Sequence, residues 1–271
     1  MGPRKLLVFD LETVPDVALG RALHPDWQDF EDIAVRAKLS AAALEKSQNK
    51  SDFLNPAYHK IVGISCLMAD IEPTDAGESY HLRKLWSVGT EGDGEAALIS
   101  LFLNGAGKDT YRLVSYNGLN FDLTTLRLRA LKHGIAAPWL FGFKDKWKNH
   151  FTKSSPDFHE DLADVFGVRG LKMDELCKMC HLPGKMDVDG TWVADLIAAG
   201  KLADVRAYCE TDVLNTYLLY LKYKHICGVL APETLHRSEH QVVDYLLKEG
   251  EHQPHFKAFL DRWMTVAPQK T

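Results

Sequence analysis

The chain has 271 residues, 46% of them hydrophobic and 25% charged, with a formal net charge of −5. That composition is of the globular class and excludes a collagenous or disordered polymer, and no apolar run approaches the length of a bilayer span. The acidic balance argues against a protein that coats duplex nucleic acid through bulk positive charge, yet leaves room for an enzyme that touches a few phosphates at one end.

Near the amino terminus, Leu6-Leu7-Val8-Phe9 is too short for a signal-peptide core and runs straight into Asp10 with no small-residue cleavage site. A cytoplasmic location is therefore expected. The five cysteines (Cys66, Cys177, Cys180, Cys209, Cys227) are an odd set without an export signal, so reduced thiols are expected. Lys5 to Glu12 is an apolar run ending in charge and predicts a buried strand. From about Asp16 to Tyr58 the chain reads as a helical insertion, with Phe30, Ile33, Ala34, Ala37 and Leu44 at helical spacing. Lys60–Ala69 and Tyr80–Val88 predict two strands joined by a polar turn around Pro73 and Gly77. Glu95–Leu103 predicts a helix. Arg112–Tyr116 predicts a strand stopped by the turn signal Asn117-Gly118, and Phe121–His133 a helix closed by Gly134. A loop rich in aromatics and lysines runs from Trp139 to Lys153, and Asp157–Val165 contains or leads into a strand. Helices are expected at Leu171–Cys180, Val193–Ala199, Ala203–Lys224, Ser238–Lys248 and Pro254–Trp263. Strands early and helices late predict one α/β domain over 1–271, with an insertion at about 16–58 and carboxy-terminal helices at about 232–264.

Three short segments carry chemistry. In Asp10-Leu11-Glu12-Thr13 the two acids are two apart, so on a strand they share a face with Leu6 and Val8, while Leu7, Phe9 and Leu11 face the other way. Two carboxylates at the end of a buried strand repel each other, and hard divalent cations with a preference for oxygen ligands relieve that repulsion. A strand end emerging into solvent would show the same letters. In Ser115-Tyr116-Asn117-Gly118-Leu119-Asn120-Phe121-Asp122 a strand ends, the chain turns, and an aspartate falls in the first turn of a helix, where acids are favoured in any case. In Tyr208-Cys209-Glu210-Thr211-Asp212 the tyrosine and the last acid are four apart and share a helix face, a spacing also common by chance.

Taken together and in this order, the three segments resemble the exonuclease motifs of the DEDD superfamily, with Tyr208 placing the chain in its tyrosine-containing branch. The resemblance is to the exonuclease domains of family-B DNA polymerases and the stand-alone predicted exonucleases related to them, and covers roughly Lys5 to Tyr223. It implies a ribonuclease H-like fold, a mixed five-stranded sheet flanked by helices. It also implies a 3′-5′ exonuclease acting on single-stranded DNA or RNA ends with two divalent cations, Mg²⁺ or Mn²⁺. By resemblance Asp10 would bridge the two ions, Glu12 and Asp212 would hold the one that activates water, and Asp122 the one near the leaving oxygen. Tyr208 would orient the attacking water, Thr13 and Asn117 would lie near the terminal nucleotide, and Phe121 would shape its pocket. Two ions placed this way stabilise the entering and departing oxygens of an in-line displacement.

The Trp139–Lys153 stretch interleaves aromatics with Lys144, Lys146, Lys148 and Lys153. Aromatic faces stack bases and lysines meet phosphates, so it is a candidate grip for single strands; a solvated loop with its aromatics tucked inward is the plainer alternative. Cys177-Lys178-Met179-Cys180-His181 has the spacing of a haem attachment site. With no export signal, and with Leu171, Leu176 and Met179 suggesting helix packing, no haem is expected. A zinc site would need a second ligand cluster, and Asp187-Val188-Asp189-Gly190 lacks the closing glutamate of a calcium loop. His159-Glu160-Asp161-Leu162 also agrees with the family, with no role assigned to His159 or Asp161. An exoribonuclease, or a catalytically idle nucleic-acid-binding module of the same fold, would share most of these features.

Overall fold

The computed structural model describes residues 4–109, 111–141, 159–166, 170–186 and 192–267. Its sheet has five strands: β1 (Lys5–Pro15), β2 (His59–Thr74), β3 (Gly77–Ser87), β4 (Tyr111–Ser115) and β5 (His159–Asp161). The spatial order is β3-β2-β1-β4-β5. β1, β2 and β3 pair antiparallel, whereas β4 runs parallel to β1 and β5 parallel to β4. This mixed sheet, flanked by helices on both faces, is a ribonuclease H-like fold, as the resemblance implies.

The alternation along β1 sorts the core into two layers. Leu6 and Val8 point into a cluster with Val213, Leu214, Tyr217 and Leu218 of α8 (Leu202–Ile226) and Phe256 and Phe259 of α10 (Pro254–Val266). Leu7, Phe9 and Leu11 point the other way, against Leu98, Ile99 and Phe102 of α3 (Glu95–Gly107) and Leu123 and Leu126 of α4 (Asp122–His133). Leu6, Val8 and Phe9 are fully buried, as expected for a central strand covered on both faces. α4 ends where Gly134 takes a left-handed conformation (φ 64°), whose amide closes back on the Ala130 and Leu131 carbonyls. α6 (Met173–Met179) and α9 (Pro232–Glu249) complete the α8 side, α5 (Pro138–Phe141) follows α4, and α7 (Val193–Ala198) packs against α8 and β1.

Several boundaries and faces differ from the sequence reading. β1 continues past Glu12 to Pro15, and Pro73 lies inside β2, so only Asp75 and Ala76 separate β2 from β3. α9 starts at Pro232 rather than Ser238, because proline suits the first helical turn. In the insertion, α1 (Val17–Leu23) and α2 (Asp32–Lys46) form a small core of Trp27, Val35, Leu39 and Leu54. The buried stripe of α2 is thus Val35 and Leu39, with Ala43 packed beside them, while Phe30, Ile33 and Leu44 are exposed. Apolar residues occur around most of that helix, and the position of Trp27 and Leu54 decides which side is covered. Met179 is likewise exposed, while Leu176 and Cys177 supply the packing of α6. None of the five cysteines is paired. No helix among the described residues is long and apolar enough to cross a membrane.

The ends of the insertion are pinched together by a buried ionic network. The Asp16 amide donates to the Tyr58 carbonyl (2.7 Å), and the Asp16 side chain caps α1 at Leu19. Arg129 of α4 reaches Asp16 Oδ2 (2.6 Å) and forks onto Glu95 (2.7 and 2.5 Å). Glu95 also accepts from the Ile61 amide (2.7 Å) and pairs with His133, and Lys132 adds a second cation to Asp16.

Candidate active site

The site forms where β1 outruns its parallel neighbour. Pairing with β4 stops at Val8, so β1 leaves the sheet's parallel half as Asp10 and Glu12 begin. The chain of β4 departs into the turn at Asn117 (φ 62°), which re-enters as α4 with Asp122 in its first turn. The Leu11 amide, with no β4 partner at that level, donates to Asp122 Oδ1 (3.1 Å). A backbone bond therefore ties the second acidic segment to the first. Gly118 is required in this turn: a Cβ there would stand 2.0 Å from Ser115 Oγ. Asp161 on β5 holds the same turn by accepting the Asn117 amide (2.6 Å) and the Leu119 amide (2.9 Å). Sequence reasoning noted Asp161 without assigning it work; its work is to set the turn that aims Asp122.

On the other side of β1, pairing with β2 slips between Glu12 and Thr13, so that Glu12 faces Gly63 and Thr13 faces Ile61, leaving Val62 extra. Such a bulge re-aims side chains near functional sites. Gly63 packs directly beside Glu12, where a Cβ would stand in ordinary contact, 3.4 Å from the Glu12 Cβ. α8 crosses this face of β1 and brings Tyr208 and Asp212, one helical turn apart, onto the acids.

Asp10 and Glu12 feel the charges of both Asp122 and Asp212. Burial, then the Asp122 and Asp212 charges, push Asp10 well above the ordinary carboxylate range. Burial, then Asp10 and Asp212, do the same to Glu12. Asp122 is pushed up to about 7 by burial, against the opposing pull of its own amide and that of Leu11. Asp212 is pushed up to about 6 by burial, opposed by Lys185 and by the Tyr208 hydroxyl. Burial and then Asp212 hold the Tyr208 phenol far on its protonated side. Lys185, whose Nζ lies 5.5 Å from the centre of the Tyr208 ring, is a cation that faces this cluster; no motif in the sequence marks it.

The donor set suits a hard divalent cation. The side-chain donors of Asp10, Glu12 and Cys209 lie within 4.8 Å of one another, and Asp212 Oδ1 is a buried carboxylate oxygen without a hydrogen-bond partner. Cys209 does not fit as a ligand. Burial and the Asp10 charge push its thiol well above its ordinary range, and it donates to the Asp10 carbonyl (3.5 Å) and Oδ2 (3.7 Å). A neutral thiol orienting Asp10 is the consistent reading, since a soft sulfur is a poor partner for a hard divalent cation.

These shifts fix a pH dependence. The unfolded carboxylates ionise near pH 4, while Asp122 and Asp212 keep their protons up to about 7 and about 6. The native state then binds more protons across that interval, so without divalent ions stability falls as pH rises from about 4 to about 7. A bound cation takes the protons' place. Saturating Mn²⁺ should raise the thermal midpoint of EDTA-cleared protein by about 5 to 10 °C near pH 8, and by less near pH 5, in a dye-binding melt.

The remaining expected site residues divide. Thr13 Oγ1 bonds His59 Nδ1 (2.8 Å), and the Phe121 ring stands edge-on to His59 with centroids 4.9 Å apart, so Thr13 and Phe121 meet at one place. Asn117 turns its exposed side chain to its own loop, accepting from Asn120 Nδ2 (2.9 Å). Of the aromatic-basic loop, Trp139 is tied to the Leu103 carbonyl (3.0 Å) and Leu140 is buried, which favours inward packing for its beginning. Lys144, Lys146, Lys148 and Lys153 lie outside the described residues, as does the Asp187–Gly190 segment. Cys177 is buried in the main core.

The chain is similar to known proteins. A family described as predicted 3′-5′ exonucleases related to the exonuclease domain of PolB matches residues 51–263. The catalytic polypeptide of DNA polymerase epsilon from Schizosaccharomyces pombe is 27% identical over 130 residues, which are 44% of this chain and 6% of that protein. Among solved structures, the family B DNA polymerase of the hyperthermophilic archaeon Pyrobaculum calidifontis aligns with a TM-score of 0.45 and 15% identity, covering 93% of this chain and 29% of that one. The chain thus spans a minor part of either polymerase. With more than half of its length matched, it belongs to the family of predicted 3′-5′ exonucleases related to the exonuclease domain of PolB.

Proposed function

We propose that this protein hydrolyses the terminal phosphodiester bond of single-stranded 3′ ends, DNA in preference to RNA, and releases nucleoside 5′-monophosphates. The observation that supports the reading is that Asp10 and Glu12 are pushed up by the charges of Asp122 and Asp212 as well as by burial, four acids contributed by three separate segments. Two bound Mg²⁺ or Mn²⁺ ions would supply a nucleophilic water at neutral pH and neutralise charge on the leaving oxygen. Asp10, Glu12 and Asp212 on one side, and Asp122 on the other, are the residues that would hold them. Tyr208 keeps its proton across the working range, so its role is to orient water by a hydrogen bond, not to act as a base. Water adds to phosphorus as the bond to the penultimate 3′-oxygen breaks, leaving a new 3′-hydroxyl on the shortened strand. The preference for DNA follows the name of the DNA polymerase epsilon relative.

The test is degradation of matched DNA and RNA oligonucleotides labelled at the 5′ end, in Mg²⁺, Mn²⁺ and EDTA. A ladder of shortened products with mononucleotide release, lost in EDTA, is expected, faster on DNA. An intact label in every cation would overturn the proposal, and faster loss of RNA would reverse the substrate order. If Lys144, Lys146 and Lys148 grip phosphates, replacing all three by glutamine should flatten the dependence of log affinity on log salt by up to about 2. An unchanged slope in a fluorescence-anisotropy titration removes the loop from the binding surface.

A further inference from the structure

The insertion between β1 and β2 reaches back to the nucleotide end of the site. Phe53, in the insertion's last stretch, is 63% exposed, yet its position is fixed. Its amide donates to Ser51 Oγ (3.1 Å), and the Ser51 amide donates in turn to Ser47 Oγ at the end of α2 (3.0 Å). The next residue, Leu54, is buried in the insertion's own core, and its carbonyl bonds His59 Nε2 (3.2 Å). The Phe53 ring stands 5.3 Å from His59 and 5.4 Å from Phe121, centre to centre, and those two stand 4.9 Å apart.

The three rings form one group, and its middle member is an uncharged aromatic. A carbonyl can only accept, so His59 Nε2 carries the proton and Nδ1 accepts from the Thr13 hydroxyl. Burial holds the ring below the ordinary histidine range, in its neutral form. The group is continuous with the acids: Thr13 follows Glu12 directly, and Phe121 directly precedes Asp122.

We propose that Phe53, His59 and Phe121 form a stacking wall for the unpaired base at the 3′ end of a DNA strand, and that the insertion's role is to supply Phe53 as its exposed face. This rests on the exonuclease reading for the identity of the ligand. Every base offers a flat face, so the wall grips an end without reading its sequence. It also accounts for an anchored phenylalanine left open to water beside a pocket of carboxylates. The carboxylates set where the phosphate lies, and the wall sets where the base lies.

The probe is single-stranded DNA with 2-aminopurine at its 3′ end, together with the same strand made abasic at that position, bound in EDTA so that nothing is hydrolysed. Phe53→Ala should weaken binding of the base-bearing strand by about 5- to 150-fold, the loss of one base–aromatic stack. It should leave the abasic strand within about twofold. Phe53→Trp should restore affinity and quench the fluorescent base. An unchanged thermal midpoint for Phe53→Ala, expected for an exposed side chain, separates this loss from unfolding. Equal affinity of native protein and Phe53→Ala for the base-bearing strand overturns the wall, as does an equal loss on both strands or no binding by native protein. Hydrolysis by native protein in Mg²⁺ is scored separately. Cleavage without a Phe53 effect sinks the wall alone, and a base-selective Phe53 effect without cleavage sinks the exonuclease reading alone.

Discussion

Alanine at Asp10 or at Asp212 should lower mononucleotide release by at least about 10³-fold while the chain stays folded. Each substitution removes a carboxylate that no neighbour can replace, and groups acting as a unit lose most of their effect together. The accompanying stability change is unusual for a buried polar residue. In EDTA the melting temperature of either variant should equal or exceed that of native protein, because deletion relieves repulsion among acids that share burial. The rise produced by Mn²⁺ should shrink or vanish. Tyr208→Phe should cost less, about 10- to 100-fold in rate, since one hydrogen bond to a reacting group is lost and no carboxylate. Full activity in purified Asp10→Ala or Asp212→Ala, measured by mononucleotide release, would refute the assignment.

Arg129→Met should be the most damaging single change to stability. Arg129 is 2% exposed and carries three hydrogen bonds to two buried acids. Methionine fills a similar volume but strands Asp16 and Glu95 with fewer cations than they need, and breaking a buried pair from one side costs about 3–5 kcal/mol. For a chain of this size that is a fall of roughly 10 °C in melting temperature. The network also gives an acid signature. Burial opposes the charge on Asp16, but hydrogen bonds from Lys132 and Arg129 outweigh it and hold the carboxyl at about 2. Its stabilisation is complete above the unfolded value near 4 and is lost as pH falls towards 2. Urea titrations at about pH 7 and about pH 3 should show the difference between native and Arg129→Met narrowing in acid. A constant difference would mean that the acids are not what Arg129 holds.

The parts of the molecule legible in its sequence are those fixed by short spacing. Asp10 and Glu12 two apart on a strand, and Tyr208 and Asp212 four apart on a helix, are placed by backbone periodicity alone, and Asn117 announces its turn. The alternation of Leu6 to Leu11 likewise assigns both faces of the sheet. What escaped is set by tertiary partners. The buried side of α2 depends on Trp27 and Leu54, which no pattern within the helix reveals. Lys185 faces the acids from a segment without a motif, and Asp161 binds backbone amides that any residue could offer. Phe53 lies in the stretch read only as part of a helical insertion, and its ring partners come from β2 and the start of α4.

The acids and the tyrosine of the proposed centre come from three segments that leave the ribosome at very different times. Asp10 and Glu12 emerge first, Asp122 midway, and Tyr208 and Asp212 only with α8. On the proposed reading, the centre is complete only once α8, which carries Tyr208 and Asp212, has been made and has docked against β1. A chain broken off before α8 would then hold Asp10, Glu12 and Asp122 without the residues that complete the proposed centre.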